Sequence, residues 1–202
     1  MTTYITKKHQ YHDDEVKSTL QKTIRRGDEK GAYFFALELA HEDKSNFDWM
    51  RNRLKIIAYE DIGLANPNVV LQVSQAIDDM DVLYQNNNEE WETALAYSIL
   101  LLCRSQKSRM TDHFKVYVKK FWEDESGKFK VDIPEYALDY HTTKGNELGR
   151  LINSKKGVDH FIKIGEKLTN ESNDIEDTYK RKAHKVWRER IQDNYDEQKI
   201  IL

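Results

Sequence analysis

Asn66-Pro-Asn-Val-Val-Leu-Gln-Val-Ser-Gln-Ala-Ile-Asp-Asp-Met-Asp-Val-Leu-Tyr84 is the stretch on which the fold class turns. Val70, Val73, Ile77, Met80 and Tyr84 recur at steps of three and four. That is the period of one helix face, not the alternation of a strand. Asn66 stands where a side-chain oxygen can cap the first turn, and Pro67 occupies the first helical position, where its missing N–H leaves no bond unmade.

Working upstream, Phe47, Met50, Leu54 and Ile57 follow the same repeat and end near Gly63. The run Ala32 to Ala40 is apolar almost all round, the pattern of a helix buried on most sides. Val16, Leu20 and Ile24 recur every four residues behind the acidic start His12-Asp13-Asp14-Glu15, and Gly27 stops that helix with Arg25 and Arg26 in its last turn. Working downstream, Gln85-Asn86-Asn87-Asn88 reads as a loop and Trp91 to Cys103 as a largely buried helix. Met110, Phe114, Tyr117 and Phe121 mark an amphipathic helix whose aromatics are expected to face the core.

Composition shifts at Glu123-Asp124-Glu125-Ser126-Gly127. Residues 1–124 are predicted to form a compact multi-helix domain. Residues 125–202 are predicted to be an irregular connector followed by two helices. One carries Val158, Phe161, Ile162 and Leu168; the other carries Ile175, Tyr179, Ala183 and Trp187. A short hairpin near Phe129–Ile133 stays open. The predicted class is all-α. Two prolines and eight glycines in 202 residues are too few for a barrel or sandwich of many short strands.

Cys103 is the only cysteine, which excludes an internal disulfide and a thiolate zinc site. No signal-peptide run and no stretch near the ~20 apolar residues of a membrane span occurs, so no membrane partner and a cytoplasmic location are expected. Net charge is −3, but residues 1–103 carry −6 and residues 104–202 carry +3. A globally basic nucleic-acid binder is not implied; a local basic surface in the second half is.

Two segments resemble a known family: Lys22-Thr-Ile-Arg-Arg-Gly-Asp-Glu-Lys-Gly-Ala-Tyr33 and Arg53-Leu-Lys-Ile-Ile-Ala-Tyr-Glu-Asp-Ile-Gly-Leu-Ala-Asn-Pro67. Both are similar to the C-terminal region of the RarA/MgsA replication-associated recombination ATPases, relatives of clamp-loader subunits. The resemblance covers roughly residues 13–124, and more loosely 132–187. Its signature positions are Arg25, Arg26, Gly27, Asp28, Glu60, Asp61, Gly63, Leu64, Asn66 and Pro67. It implies a clamp-loader-collar type of helical domain that assembles as a tetramer or dimer. It also implies work in replication, recombination or repair, with a separate ATPase, single-strand binding protein or DNA as partners. The ATPase module that precedes this region in the family is not seen here, and the 202 residues hold no G-x-x-x-x-G-K-[ST] phosphate loop. No cofactor and no enzymatic activity are expected from this chain alone.

Three groups of residues invite chemistry. Glu60-Asp61 reads as a metal or acid–base pair, or as a structural cap or partner of Arg51 or Arg53; adjacent residues on an α-helix point about 100° apart and do not face one site. Asp139 to Arg150, with His141, Lys144, Gly145 and Arg150, reads as a phosphate cradle or as a polar connector. In the first case it would bind a phosphate or nucleic-acid ligand, or act as an enzyme, with those side chains converging on one pocket. Lys115, Lys119 and Lys120, with Arg104, Lys107 and Arg109, and the cluster Lys180, Arg181, Lys182, Lys185, Arg188 and Arg190 read as nucleic-acid contacts or as solvated charged faces. The favoured expectation is a non-catalytic module for oligomerisation and protein interaction.

Overall fold

The computed structural model describes residues 4–128 and 130–199, with side chains described through Glu189 and at Ile191. The chain divides into two compact units, Met1–Phe129 and Lys130–Leu202, each taken here by itself. Among the described residues there is no strand, only one antiparallel bridge between Ile5 and His12. The open hairpin reading thus finds no strand at residues 130–133, and Phe129 lies outside the described residues. No described helix is long and apolar enough to cross a membrane.

Unit 1 contains α1 (Asp13–Arg26), α2 (Glu29–Ala40), α3 (Lys44–Ile57), α4 (Pro67–Gln85), α5 (Trp91–Arg104) and α6 (Met110–Trp122). The stripes predicted for the first five meet in one core. Val16, Leu20 and Ile24 of α1, Phe47, Met50, Leu54 and Ile57 of α3, and Val73, Ile77 and Met80 of α4 are all buried. Tyr84 stacks on Phe47 at 3.7 Å between ring centroids, and both meet Trp91 edge-on. The predicted punctuation is in place. Asn66 accepts from the Val69 N–H, Asp28 from the Gly31 N–H and Asp43 from the Asn46 N–H. Gly27 takes φ +74°, a left-handed turn that an L side chain rarely adopts, and so ends α1.

α6 departs from expectation. None of its residues is buried, and Phe114 (67% exposed), Tyr117 (66%) and Met110 (62%) face away from the core. The reading that these aromatics pack inward is corrected. Helical periodicity fixes which residues share a face; it does not fix which face meets the domain.

Unit 2 is small. It holds a 3₁₀ turn at Glu135–Ala137, α7 (Thr143–Glu147), α8 (Lys155–His160) running into a π turn at Phe161–Gly165, and α9 (Lys180–Lys199). Its centre is aromatic: Tyr140 and Trp187 lie 5.1 and 5.4 Å from the Phe161 ring. The first predicted C-terminal helix ends before Leu168, and the second begins later than expected, at Lys180, and runs to Lys199. Leu168, Ile175 and Tyr179 fall outside them and are exposed.

Candidate functional site

The two signature segments meet at one carboxylate. α3 does not stop at Ile57 but widens into a π turn over Ala58–Ile62, followed by a 3₁₀ turn at Gly63–Ala65. This irregular hinge places Asp61 fully inside the unit, 0% exposed. Arg25, from the end of α1, grips it with two bonds: Nε to Oδ1 at 3.0 Å and Nη2 to Oδ2 at 3.2 Å. Arg109, just before α6, lies 3.4 Å away on the same Oδ1. The backbone joins in, with the Ser108 N–H donating to the Asp61 carbonyl at 2.9 Å.

Glu60 belongs to the same network. Gln21 donates its amide to Glu60 at 2.9 Å and to Asp61 at 3.2 Å. Arg53 sits 3.4 Å from Glu60 and also bonds Gln21. Lys115 of α6 is 3.7 Å from Glu60 and 2.8 Å from Asp112. Hydrogen bonding between the last two pulls the Asp112 carboxyl below its ordinary value and lifts the Lys115 ammonium above its own. The expectation that neighbouring carboxylates cannot share a site is corrected here. The wider π turn sets successive side chains at a smaller angle than an α-helix does, so both reach one glutamine. What they share is a set of cations. Among the described residues no group of His, Cys, Asp or Glu is arranged to hold a metal ion.

Gly63 locks the hinge. Its φ of +48° with ψ of −125° suits glycine alone, and a Cβ there would lie 2.8 Å from Thr111 Oγ1 of α6. The signature thus works as a buckle. One end of α1, the α3–α4 turn and the start of α6 are fastened at Asp61 and Gly63. Leu64 is exposed beside it, and Arg26 is exposed and bonds back to the Lys22 carbonyl at 3.1 Å.

The buckle explains how an α6 that buries nothing keeps its place: its polar side is tied down through Arg109, Thr111, Asp112 and Lys115. Its apolar stripe of Met110, Phe114 and Tyr117 is left facing solvent, with Val118 and Trp122 also exposed. Tyr117 packs edge-on against Phe121 at 4.6 Å within the stripe. Of the basic residues on this helix, Lys115 is committed to the buckle and Lys119 pairs with Glu123 at 3.1 Å. Lys120 makes no ion pair among the described residues.

In unit 2, His141, Lys144 and Arg150 turn to separate partners. His141 lies 3.1 Å from Asp139, and Lys144 bonds Glu147 at 3.0 Å. The Arg150 side chain is only 11% exposed and donates to the Leu138 carbonyl and to Glu135. The expectation that Arg150 presents its charge to a phosphate is corrected: it staples the connector from within. Uncompensated cations gather elsewhere, in a groove of about 530 Å³ between α8 and α9. Arg181, Lys185 and Arg188 follow one face of α9 there, with Lys155 opposite and Asp159 and Glu189 at the edges. Lys185 reaches Glu189 at 3.5 Å, whereas Lys155, Arg181 and Arg188 make no ion pair among the described residues. The Arg190 side chain lies outside the described residues.

Sequence reading also missed a strap over α2. Residues 4–12 fold back on themselves and are held by two buried carboxylates. Glu42 accepts from Tyr4 Oη at 2.5 Å and the Lys7 N–H at 2.8 Å; Glu38 is bonded by His9 Nδ1 at 2.5 Å.

Two comparisons bear on this architecture. The profile of the family "MgsA AAA+ ATPase C terminal" matches residues 26–199. Over 141 residues, 70% of this chain, the sequence is 31% identical to the "Replication-associated recombination protein A" of Bacillus subtilis (strain 168), of which 32% is covered. The chain therefore spans about a third of the length of that relative.

Proposed function

Because this chain belongs to the MgsA AAA+ ATPase C-terminal family, we propose that it is an assembly module serving DNA replication or recombination, without catalysis of its own. The observation that carries this reading is α6. An amphipathic helix fastened by its polar side, with Met110, Phe114 and Tyr117 exposed, presents apolar surface that the domain itself leaves uncovered. Large aromatics bring 150–250 Å² of surface each, so the α6 stripe with Trp122 amounts to roughly 500 Å², at the upper end of what monomers leave open. The relevant partner is a second copy of the chain, in a dimer or tetramer. A separate ATPase or single-strand binding protein would then be gathered by the assembled form. Light scattering tests this: the expected mass is a small multiple of 24.0 kDa. A steady 24.0 kDa particle over a wide concentration range overturns it. Calorimetry should also register no magnesium-dependent ATP binding, because no phosphate loop is present in the sequence.

A second reading, weak contact with nucleic-acid phosphates, is favoured by the α8–α9 groove rather than by Lys144 or Arg150. Arg181, Lys185 and Arg188 span about 10 Å along α9, at 1.5 Å per residue. That length covers about three phosphates at 3.4 Å per strand step. The Arg181→Glu and Arg188→Glu variants should each lower the log–log salt slope of single-strand binding by about 0.7. Binding that survives both reversals excludes the groove.

A further inference from the structure

A helix face that awaits a partner needs a complementary surface, and unit 1 carries one on its α4–α5 side. A groove of about 600 Å³ runs there, floored by Ala76 and Leu83 of α4 and Ala94 and Tyr97 of α5, with Asp79 and Glu90 on its rim. The small side chains of Ala76 and Ala94 let another helix approach to the usual 8–10 Å between axes. α4 has 19 residues and α6 has 13, so the groove wall at about 28 Å is longer than the ~20 Å helix it would receive.

Charge selects the occupant. Asp79 accepts from Gln75 and Glu90 from Thr93, but neither has an ion-pair partner among the described residues. On α6, Lys120 borders the apolar stripe and is likewise without one. We propose that the α4–α5 groove is the docking site for the α6 apolar face of a second copy of this chain, with Lys120 directed at the acidic rim. This rests on the self-association reading and names its second surface. The acidic rim of the groove offers Lys120 opposite charge. In its own unit α6 packs on the turns of residues 58–65 and not on the groove. Helix against groove closes either reciprocally between two copies, as a two-fold dimer, or head to tail, as a ring.

Single-cysteine variants read this out. Cys103 is the only cysteine. In a Cys103→Ser background, Tyr117→Cys and Ala76→Cys chains are mixed and treated with a short bis-maleimide. The proposal expects a cross-linked species of twice 24.0 kDa holding one chain of each kind, and none from Tyr117→Cys alone. An oligomer in which Tyr117→Cys links only to itself overturns the groove and leaves self-association standing. A wild-type chain that is monomeric by light scattering overturns both. Should the serine background fail to fold, Ala76→Arg in the native chain decides instead. A folded monomer by circular dichroism and light scattering supports the groove, and an unchanged oligomer mass overturns it.

Discussion

Asp61 shows what one residue does for this fold. Its carboxylate is wholly removed from water and answered by Arg25, Arg109 and Gln21. Removing it strands Arg25, whose side chain keeps 32% of its surface exposed, so the loss falls below the roughly 3–5 kcal/mol of a fully buried pair. Asp61→Ala is therefore expected to lower the urea midpoint steeply, by far more than the exposed-pair change Lys144→Ala, worth at most about 1 kcal/mol. Gly63→Ala should cost about 1–3 kcal/mol through its left-handed φ and the approach to Thr111. Glu38 gives a pH signature. Burial pushes its carboxyl up, but bonds from Thr6 and His9 outweigh this and hold it below the ordinary glutamate value. A depressed folded value means stability that is present above the ordinary range and lost as pH falls through it. Urea midpoints taken down an acid series should thus drop faster for the native chain than for Glu38→Gln; parallel curves contradict this.

At the scale of elements, the helices that build the core were legible because each one's apolar period ends in a cap or a breaker. Asn66-Pro67 and Arg26-Gly27-Asp28 mark boundaries by chemistry as well as by pattern. Asn66→Ala should cost about 1 kcal/mol of stability, measurable by thermal unfolding. Three things were not legible. The π turn at 58–62 leaves no compositional trace, so the meeting of Glu60 and Asp61 at Gln21 was hidden. The strap at 4–12 is a contact between distant positions, and a single sequence does not display pairs. The outward face of α6 was misread because its stripe is as regular as that of α4; only the ion network on its other side decides which way it points. That network is partly exposed, so high salt should loosen α6 before it affects the core. Amide exchange in α6 should quicken with salt while α4 is unchanged, and equal response of both helices contradicts this.

For the whole molecule, the buckle and the exposed helix belong together. A polar clasp at Asp61 and Gly63 holds α6 in a fixed direction, and the direction leaves its apolar stripe facing solvent. This is a division of labour between signature residues that nobody would assign to chemistry and a helix that would otherwise pass for core. The most direct test is sedimentation velocity on the native chain beside the Phe114→Glu/Tyr117→Glu variant, with circular dichroism as the check on folding. Both side chains already face solvent, so helicity should be unchanged. The account predicts an oligomer for the native chain and a 24.0 kDa monomer for the variant; a folded variant that sediments like the native oligomer would contradict it.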